Sequence, residues 1–340
     1  MAARTVTIFG GSGFIGRYVV RQLAREGWVI RVAVRDPKGA QFLKPLGTVG
    51  QIVPLATRLQ DEASVVRAVE GVDAVINLVG ILYESGRQSF DAVHHQGAKR
   101  IAEAARAAGV AQLVHISAIG ASTKAASDYA RSKGAGEQAV KKAFKEAAIL
   151  RPSIVFGPED DFFNRFAAMA RISPALPLIG GGETKFQPVY VTDVANAVSA
   201  CLAQPAAKGA TFELGGPKVY SFKELMRLLL QAIARRRLLL PLPFPLARLQ
   251  ASVLELVTLL PLPIAPLLTR DQVTLLESDN VVSKNAKGLA DLGVEAHSVE
   301  VILPTYLDRY RPGGRFTAPP VEEARKRGTK RARTRKRPRS

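Results

Sequence analysis

A glycine-rich turn near the start of the chain constrains the fold more than any other feature. It reads Gly10-Gly11-Ser12-Gly13-Phe14-Ile15-Gly16, with a strand-like apolar pattern just before it and a helical pattern just after it. Glycines permit a tight turn and let the backbone approach a phosphate, and the N-terminus of the following helix offers unpaired N–H groups and a favourable dipole. In this context of strand, turn and helix, the motif predicts a cradle for the pyrophosphate of a dinucleotide.

Strand-like and helical patterns alternate through the first half of the chain. The strand patterns lie at residues 6–9, 28–34, 51–54, 74–78, 112–116 and 148–152. The helical patterns between them lie at residues 17–25, 62–69, 98–108 and 133–146. This rhythm predicts a Rossmann-type α/β core over residues 1–155, a doubly wound parallel sheet with helices on both faces. Its ligand crevice is expected at the carboxyl ends of the strands.

After residue 155 the rhythm becomes irregular, and clusters of turn residues such as Gly180-Gly181-Gly182 separate short segments. We predict that residues 156–310 form a smaller C-terminal lobe over the crevice. Only a few residues precede the first strand pattern, and the chain has a single cysteine. These features are typical of a protein without a leader peptide in a reducing compartment, so we expect a bacterial cytoplasmic protein.

An apolar, proline-rich segment lies within this lobe at residues 238–268. Its prolines and the charged Arg248 and Glu255 interrupt the run, so we predict that it does not cross a bilayer. Apolar side chains repeat along it at helical spacing, namely Leu246, Leu249, Val253, Leu256 and Leu260. The repeat predicts an amphipathic helix, which either packs on its own lobe or forms a docking surface for a membrane or a protein partner.

Much of the positive charge of the chain, +19 in total, lies in its last thirty residues. Residues 311–340 hold twelve Lys and Arg against two Asp and Glu, a net charge of +10, and we predict a disordered tail. Such a tail is solvated or lies on acidic phospholipid headgroups. It also permits weak, salt-dependent association with nucleic acid, but its arginine-rich residues 325–340 include no aromatic side chain for base stacking, so no specific nucleic-acid partner is expected.

The end of the second strand pattern bears on the choice of nucleotide. NAD-specific proteins usually place a carboxylate there on the ribose 2′-hydroxyl. This chain has Arg35, whose forked guanidinium suits a 2′-phosphate, and Arg17 beside the last glycine adds a second positive charge. We therefore predict NADP(H). Asp36 next to Arg35 leaves NAD as the less favoured alternative, and the two arginines as ordinary surface residues remain a third.

The glycine spacing and four later segments resemble the extended and atypical short-chain dehydrogenases and reductases. The matching residues are Asp61, the run Ile76-Asn77-Leu78-Val79-Gly80, the YxxxK motif Tyr129-Ala130-Arg131-Ser132-Lys133, residues 151–158 with Pro152, and Val191-Thr192-Asp193-Val194-Ala195. The resemblance implies cofactor contacts at Asp61, Leu78, Val79, Gly80, Lys133 and Pro152, in addition to residues 10–17 and Arg35.

Two stretches resemble one family more narrowly, that of the 39-kDa accessory subunit of respiratory complex I. They are residues 68–82, AVEGVDAVINLVGIL, and residues 268–282, LTRDQVTLLESDNVV. The resemblance implies a bound NADPH and attachment to subunits of NADH:quinone oxidoreductase. Together with the apolar segment and the doubtful catalytic triad described below, it favours an accessory or assembly subunit that holds NADPH without turning it over. For a bacterial member it implies a cytoplasmic protein, peripheral on the cytoplasmic face of the inner membrane, with residues 238–268 and the basic tail available to acidic phospholipid.

Catalysis is the open question at this site. In active relatives the hydroxyl of the YxxxK tyrosine exchanges a proton with substrate while the lysine lowers its pKa, roles that the resemblance gives to Tyr129 and Lys133. A Ser or Thr at the end of the fifth strand completes the triad. Here Ser117 precedes the usual position, which Ala118 occupies, and a shift of one residue points a strand side chain to the opposite face.

We therefore treat Ser117 as a doubtful catalytic residue and expect an incomplete triad. The main alternative is an active NADP-dependent reductase, epimerase or dehydratase that acts on a sugar nucleotide or a small carbonyl. A nucleic-acid-binding member of the superfamily is a second alternative.

The histidines of the chain do not indicate a metal site. His94 lies where relatives often carry Asn, and the four histidines lack the spacing of metal ligands, so no metal is predicted.

Overall fold

The computed structural model describes residues 3–86, 88–258 and 268–316. Its strands are β1 Thr5–Phe9, β2 Val29–Val34, β3 Ile52–Ala56, β4 Ala74–Asn77, β5 Gln112–Ile116, β6 Ala148–Pro152, β7 Val155–Phe156, β8 Ala175–Ile179, β9 Lys185–Phe186, β10 Val189–Tyr190, β11 Thr211–Leu214, β12 Tyr220–Ser221 and β13 Leu238–Leu242. Its α-helices are α1 Phe14–Arg25, α2 Glu62–Val69, α3 Ala98–Ala107, α4 Asp128–Ala143, α5 Phe163–Ile172, α6 Val191–Ala203, α7 Phe222–Ala232, α8 Phe244–Thr258, α9 Arg270–Leu275 and α10 Val299–Tyr306.

Seven parallel strands form the large sheet, in the order β11-β6-β5-β4-β1-β2-β3. Alternate side chains of each strand face opposite layers. Helices α1 and α6 cover one face through one apolar cluster, and α2, α3 and α4 cover the other through a second cluster. The chain reverses its strand order beside β1, which puts the crevice at the carboxyl ends of β1 and β4. The predicted doubly wound α/β fold is confirmed.

Two elements that follow the predicted boundary at residue 155 lie on the large sheet. Helix α6 packs against α1 on the large sheet, and β11 pairs with β6 at the sheet edge. Both elements belong to the core although they follow residue 155. The physical reason is that the apolar face of α1 and the free edge of β6 each need a partner, and the second half of the chain supplies both.

The smaller lobe has its own apolar cluster. Helices α5, α7 and α10 pack around buried aromatic and leucine side chains. Three two-stranded sheets support it: β10 with β7, β12 with β9, and β13 with β8. The segment from residue 268 to the end of α10 completes the lobe and returns to the large sheet, where Lys287 forms a bridge with Phe212 in β11.

Helix α8 forms within the predicted amphipathic segment and has one buried and one exposed face. Ala247 and Ala251 are fully buried and form the face that packs on the lobe, with Val273 of α9. Leu246, Leu249 and Val253 are 54%, 64% and 55% exposed, so the predicted apolar stripe faces outward. The side chains of Leu256 and Leu260 lie outside the described residues. In the part of the chain that the structure describes, no helix is long and apolar enough to cross a bilayer.

The first residues of the predicted tail belong to the folded lobe. The Arg311 side chain is buried, and its Nε donates a hydrogen bond of 2.9 Å to the carbonyl of Ala232 at the end of α7. A short 3-10 turn, Gly314–Phe316, follows. The predicted tail therefore begins after these residues, and 317–340 lie outside the described residues.

Candidate nucleotide-binding site

The glycine turn joins β1 to α1 at the crevice. Gly10 has φ +79°, a left-handed conformation that favours glycine, and the Gly13 N–H donates to its carbonyl at 3.0 Å. A Cβ at Gly16 would lie 2.3 Å from that same carbonyl oxygen, so only glycine fits there. No side chain caps the N-terminus of α1. Its first N–H groups are therefore available to a phosphate.

The neighbouring residues of the motif line the entrance or support it. Ser12 is half-buried, and Ile15 packs against the core below the turn. The ring of Phe14 faces the smaller lobe, 3.5 Å from the position that a Cβ would take on Gly157. On that side of the crevice, the Pro152 carbonyl accepts a hydrogen bond of 3.0 Å from Ile119. The segment predicted to frame the nicotinamide end therefore faces the glycine turn.

The turn after β4 forms the opposite wall of the cradle. A Cβ on Gly10 would lie 3.1–3.2 Å from backbone atoms of Leu78 and Val79, so the two turns are in close contact. Asn77, which sequence reasoning did not single out, fixes this wall: its Oδ1 accepts from the Val79 N–H at 3.0 Å. Its Nδ2 lies 3.1 Å from Nδ1 of the buried His115. An Asn at the end of a buried strand was the signal available for it.

Arg35 and Asp36 follow β2 at the predicted ribose end of the site. Arg35 is exposed directly after β2, and within residues 3–86, 88–258 and 268–316 no hydrogen bond or ion pair engages its guanidinium. The Asp36 carboxylate instead accepts the Lys38 N–H at 3.0 Å and so closes its own turn. Arg17 lies over the Phe42 ring and 3.5 Å from Glu159 of the smaller lobe. The structure thus leaves Arg35 available and pairs Arg17.

Asp61 has a role of its own in this structure. It is the N-cap of α2, and its Oδ1 accepts the Ser64 N–H at 3.3 Å. Such capping satisfies an otherwise unpaired helix donor. The resemblance implied a cofactor contact at Asp61, and the observed bond accounts for one of its two carboxylate oxygens.

Tyr129 and Lys133 come together one turn apart on α4. The Lys133 ammonium is buried and donates to the Ile116 carbonyl at 2.8 Å, at the end of β5. Burial lowers the pKa of Lys133 to about 8. Burial, and secondarily the nearby Asp271 carboxylate, raise the pKa of Tyr129 to about 12. Lys133, the residue that would activate the phenol, is thus hydrogen-bonded to a backbone carbonyl. The raised pKa keeps the Tyr129 phenol in its neutral form.

Ser117 does not join these two residues. Its side chain is buried, and among the described residues its Oγ has no hydrogen-bond partner. The strand register explains this: Val114 and Ile116 face one layer while Leu113 faces the other, so moving the hydroxyl by one residue reverses its direction. The structure brings together two of the three predicted catalytic residues, without a bond from the third to either.

His94 packs beside this pair as a neutral side chain. It lies in a π-helical turn, Asp91–Gly97, where its Nε2 accepts the Ile81 N–H at 2.9 Å and its Nδ1 lies 2.8 Å from Ser132 Oγ. Because Nε2 accepts, Nδ1 carries the proton. Burial, with the charge of Lys133, lowers the pKa of His94 to about 3. Its ring meets Tyr129 edge-on, so it supports the site without supplying charge.

In the described part of the chain, no group of three or more His, Cys, Asp or Glu side chains is arranged to hold a metal ion. The lone Cys201 is buried, and burial raises its thiol pKa to about 12.

The sheet, the glycine turn and the YxxxK helix together define an NAD(P)-binding protein of the extended short-chain dehydrogenase/reductase class. The chain belongs to the NAD dependent epimerase/dehydratase family, whose sequence model matches residues 6–215. A solved dTDP-glucose 4,6-dehydratase from Streptomyces venezuelae superposes with a TM-score of 0.68 and 19% identity, covering 90% of this chain and 96% of that one. At this identity the likeness shows the fold alone.

Relatives at higher identity extend over most of the chain. The mitochondrial NADH dehydrogenase [ubiquinone] 1 alpha subcomplex subunit 9 of Arabidopsis thaliana is 37% identical, covering 91% of this chain and 78% of that protein. The 40 kDa subunit of NADH-ubiquinone oxidoreductase of Neurospora crassa is 32% identical, covering 96% and 85%. A ceramide reductase of Caulobacter vibrioides is 31% identical, covering 72% and 75%. The resemblance to the complex I subunit family is confirmed.

Proposed function

We propose that this protein is an accessory subunit of a bacterial NADH:quinone oxidoreductase that holds NADPH without turning it over. The relatives named as complex I subunits match it over nine-tenths of its length, which supports the partner. The observation that carries the non-catalytic part is the state of α4, where Lys133 is bonded to the Ile116 carbonyl and the Tyr129 pKa is raised to about 12.

The nucleotide end supports NADPH over NADH. Arg35 stands free at the position that reads the ribose, and the adjacent Asp36 is used in its own turn. Loss of a charge-assisted bond of about 1.5–3 kcal/mol corresponds to about a 10- to 100-fold change in affinity. Arg35→Ala is therefore expected to weaken NADPH binding by that factor and leave NADH binding unchanged. Arg25→Ala, at the far end of α1, is the matched control; equal losses for both nucleotides would contradict the assignment.

Purification tests the partner and the cofactor together. Complex I isolated from the native organism under mild detergent should contain this chain with about one NADPH per copy. The nucleotide is released by denaturation and assayed enzymatically against NADP⁺, NADH and NAD⁺. Absence of the chain from the complex would refute the subunit assignment, and NAD(H) in place of NADPH would refute the cofactor assignment.

An outward-facing apolar surface supports attachment to acidic phospholipid on the cytoplasmic face of the inner membrane. Strand β13 exposes Leu238 and Leu240, and α8 exposes the outward side chains described above. Arg235-Arg236-Arg237 immediately precedes β13. Apolar side chains flanked by basic residues suit a bilayer interface, where each cation contributes about 1 kcal/mol near anionic lipid. The basic tail adds charge of the same sign.

Vesicle binding tests this surface. Leu249→Glu should reduce co-sedimentation with vesicles containing phosphatidylglycerol and leave the melting temperature unchanged, because the side chain is exposed. Val301→Glu, an equally exposed apolar side chain on α10, is the control. Deletion of residues 317–340 should weaken binding in a salt-dependent way. Unchanged binding by the Leu249 variant would contradict the proposal, as would binding to RNA that exceeds vesicle binding at both low and high salt.

A second candidate is an active NADPH-dependent reductase. It is favoured by the 31% identity to a ceramide reductase and by Tyr129 and Lys133 on one helix face. NADPH fluorescence during incubation with ceramide-type ketones and small carbonyls is the test. Oxidation that Tyr129→Phe abolishes would favour this candidate over the holding function.

A further inference from the structure

One side chain of the segment 268–282 lies on the N-terminus of the helix that carries the YxxxK motif. The Asp271 carboxylate accepts three hydrogen bonds there: from Ser127 Oγ at 2.8 Å, from the Asp128 N–H at 2.6 Å and from the Tyr129 N–H at 3.1 Å. The first N–H groups of a helix have no intrahelical partner, and a carboxylate there is favoured by the helix dipole. A residue 142 positions along the chain from Tyr129 therefore caps α4.

The same short helix, α9, is tied to the exposed helix α8. The Glu255 carboxylate accepts from the Arg270 N–H and from Arg270 Nε, both at 2.8 Å, and Arg248 of α8 pairs with Glu277 just after α9. Between these ion pairs, the small face of α8 packs on the buried Val273. Two ion pairs and this apolar contact thus tie α8 to α9, and Asp271 of α9 bonds to α4.

We propose that Asp271 is a positioning residue that couples the nucleotide site to the outward apolar face of α8. This inference rests on the proposed function. A nucleotide that contacts Lys133 fixes α4, a fixed α4 presents its capping donors to Asp271, and the bound carboxylate holds α8 in the orientation that exposes Leu249. Attachment of α8 to a bilayer acts through the same contacts in the opposite direction, from α8 through Asp271 to α4 and the nucleotide. NADPH and an anionic vesicle then strengthen each other's binding.

Coupling of this kind must be reciprocal. If a vesicle changes NADPH affinity by some factor, NADPH changes vesicle affinity by the same factor, and factors of about 5 to 150 are usual. A single carboxylate that bridges the two elements should carry most of that factor. Without the Asp271 carboxylate, NADPH and vesicles are each expected to bind when the other is absent.

The experiment uses the full-length chain and two titrations. NADPH affinity is measured by cofactor fluorescence with and without phosphatidylcholine vesicles that contain phosphatidylglycerol, and vesicle partitioning is measured by co-sedimentation with and without saturating NADPH. The wild type should show the same factor, at least fivefold, in both directions. Asp271→Ala should reduce it to about one. Asp279→Asn is the matched control, because among the described residues its carboxylate accepts within the smaller lobe, from the Lys185 N–H at 2.8 Å.

A role in folding alone is separated by a second variant and a local readout. Asp271→Asn keeps the side-chain volume and one acceptor oxygen, so a folded variant is available if the alanine variant unfolds. In this variant, the factor by which NADPH and vesicles change each other's affinity should fall below that of the wild type. NADPH should slow hydrogen exchange at the Asp128 and Tyr129 amides in the wild type alone.

The outcomes are distinct. If neither ligand changes the affinity of the wild type for the other, the coupling is refuted. The proposals that the protein holds NADPH and attaches to a bilayer are not refuted by that result. An undiminished factor in both Asp271 variants refutes the role of this residue. Failure of the wild type to bind NADPH or vesicles on their own refutes the proposed function, and the coupling with it.

Discussion

The buried ammonium of Lys133 predicts an unusual dependence of stability on pH. Its folded-state pKa is about 8, below the ordinary value of 10.5, because burial disfavours the charged form. Between these two values the unfolded chain binds more protons than the folded chain. The free energy of unfolding therefore rises with pH across that window, and below pH 8 the full cost of the buried charge remains.

The size of the effect follows from the interval between the two pKa values. At about 1.4 kcal/mol per pH unit, that interval corresponds to roughly 3 kcal/mol, and roughly 2 to 3 kcal/mol of it falls between pH 7 and pH 10. Lys133→Met keeps the length of the side chain and removes the titrating group. The variant also leaves the Ile116 carbonyl without its donor, at a cost of about 1–3 kcal/mol that does not vary with pH.

The assay is urea denaturation of the nucleotide-free protein at several pH values from 7 to 10. The stability difference between wild type and Lys133→Met should change by roughly 2 to 3 kcal/mol in favour of the wild type as the pH rises. Groups that titrate in both proteins cancel in this difference. Parallel profiles for the two proteins would refute the argument, because they would mean that Lys133 titrates at the same pH folded and unfolded.

Three further substitutions test the packing of the site. Gly16→Ala should abolish NADPH binding and cost at least about 1–3 kcal/mol of stability, since its Cβ would lie 2.3 Å from the Gly10 carbonyl oxygen; retained NADPH binding by fluorescence titration would contradict this. Gly136→Ala should lower the melting temperature for the same reason, with a Cβ 2.1 Å from the His94 carbonyl oxygen, and an unchanged melting curve would be the contrary result. Ser117→Ala should raise stability by about 1 kcal/mol in denaturation experiments, because it removes a buried hydroxyl without a partner. If it instead removes a measurable reductase activity, Ser117 is catalytic.

The core of the fold could be predicted because its signals are local. Helix α2 and strands β5 and β6 begin and end where the patterns placed them, since each is a short run of apolar residues with the period of its own element. Helix α4 begins earlier than predicted, at Asp128, because its first turn is stabilised by Ser127 and Asp271 and not by apolar periodicity. The π-helical turn Asp91–Gly97 has no sequence pattern of its own, so periodicity could not anticipate it.

The candidate site likewise has some features that the sequence predicts and others that depend on the folded chain. The glycine turn and the YxxxK pair follow from residue types at fixed spacing, and the structure brings them to one crevice. The pairing of Arg17 with Glu159 could not be predicted, because it joins the first helix to a loop of the other lobe. The raised pKa of Tyr129 likewise depends on burial and on Asp271, both of which are properties of the folded chain.

The apolar stripe of α8 could be predicted from the sequence, but its exposure could not. Helical spacing identified the apolar stripe, but spacing alone is the same for a buried and an exposed face. The structure decides between them through Ala247 and Ala251, whose small side chains allow close packing on α9 and leave the larger leucines outside. A helix that buries its alanines and exposes its leucines loses apolar burial unless something else covers it. That imbalance, and not the apolar composition of residues 238–268, is the observation that supports the proposed contact of this lobe with a bilayer.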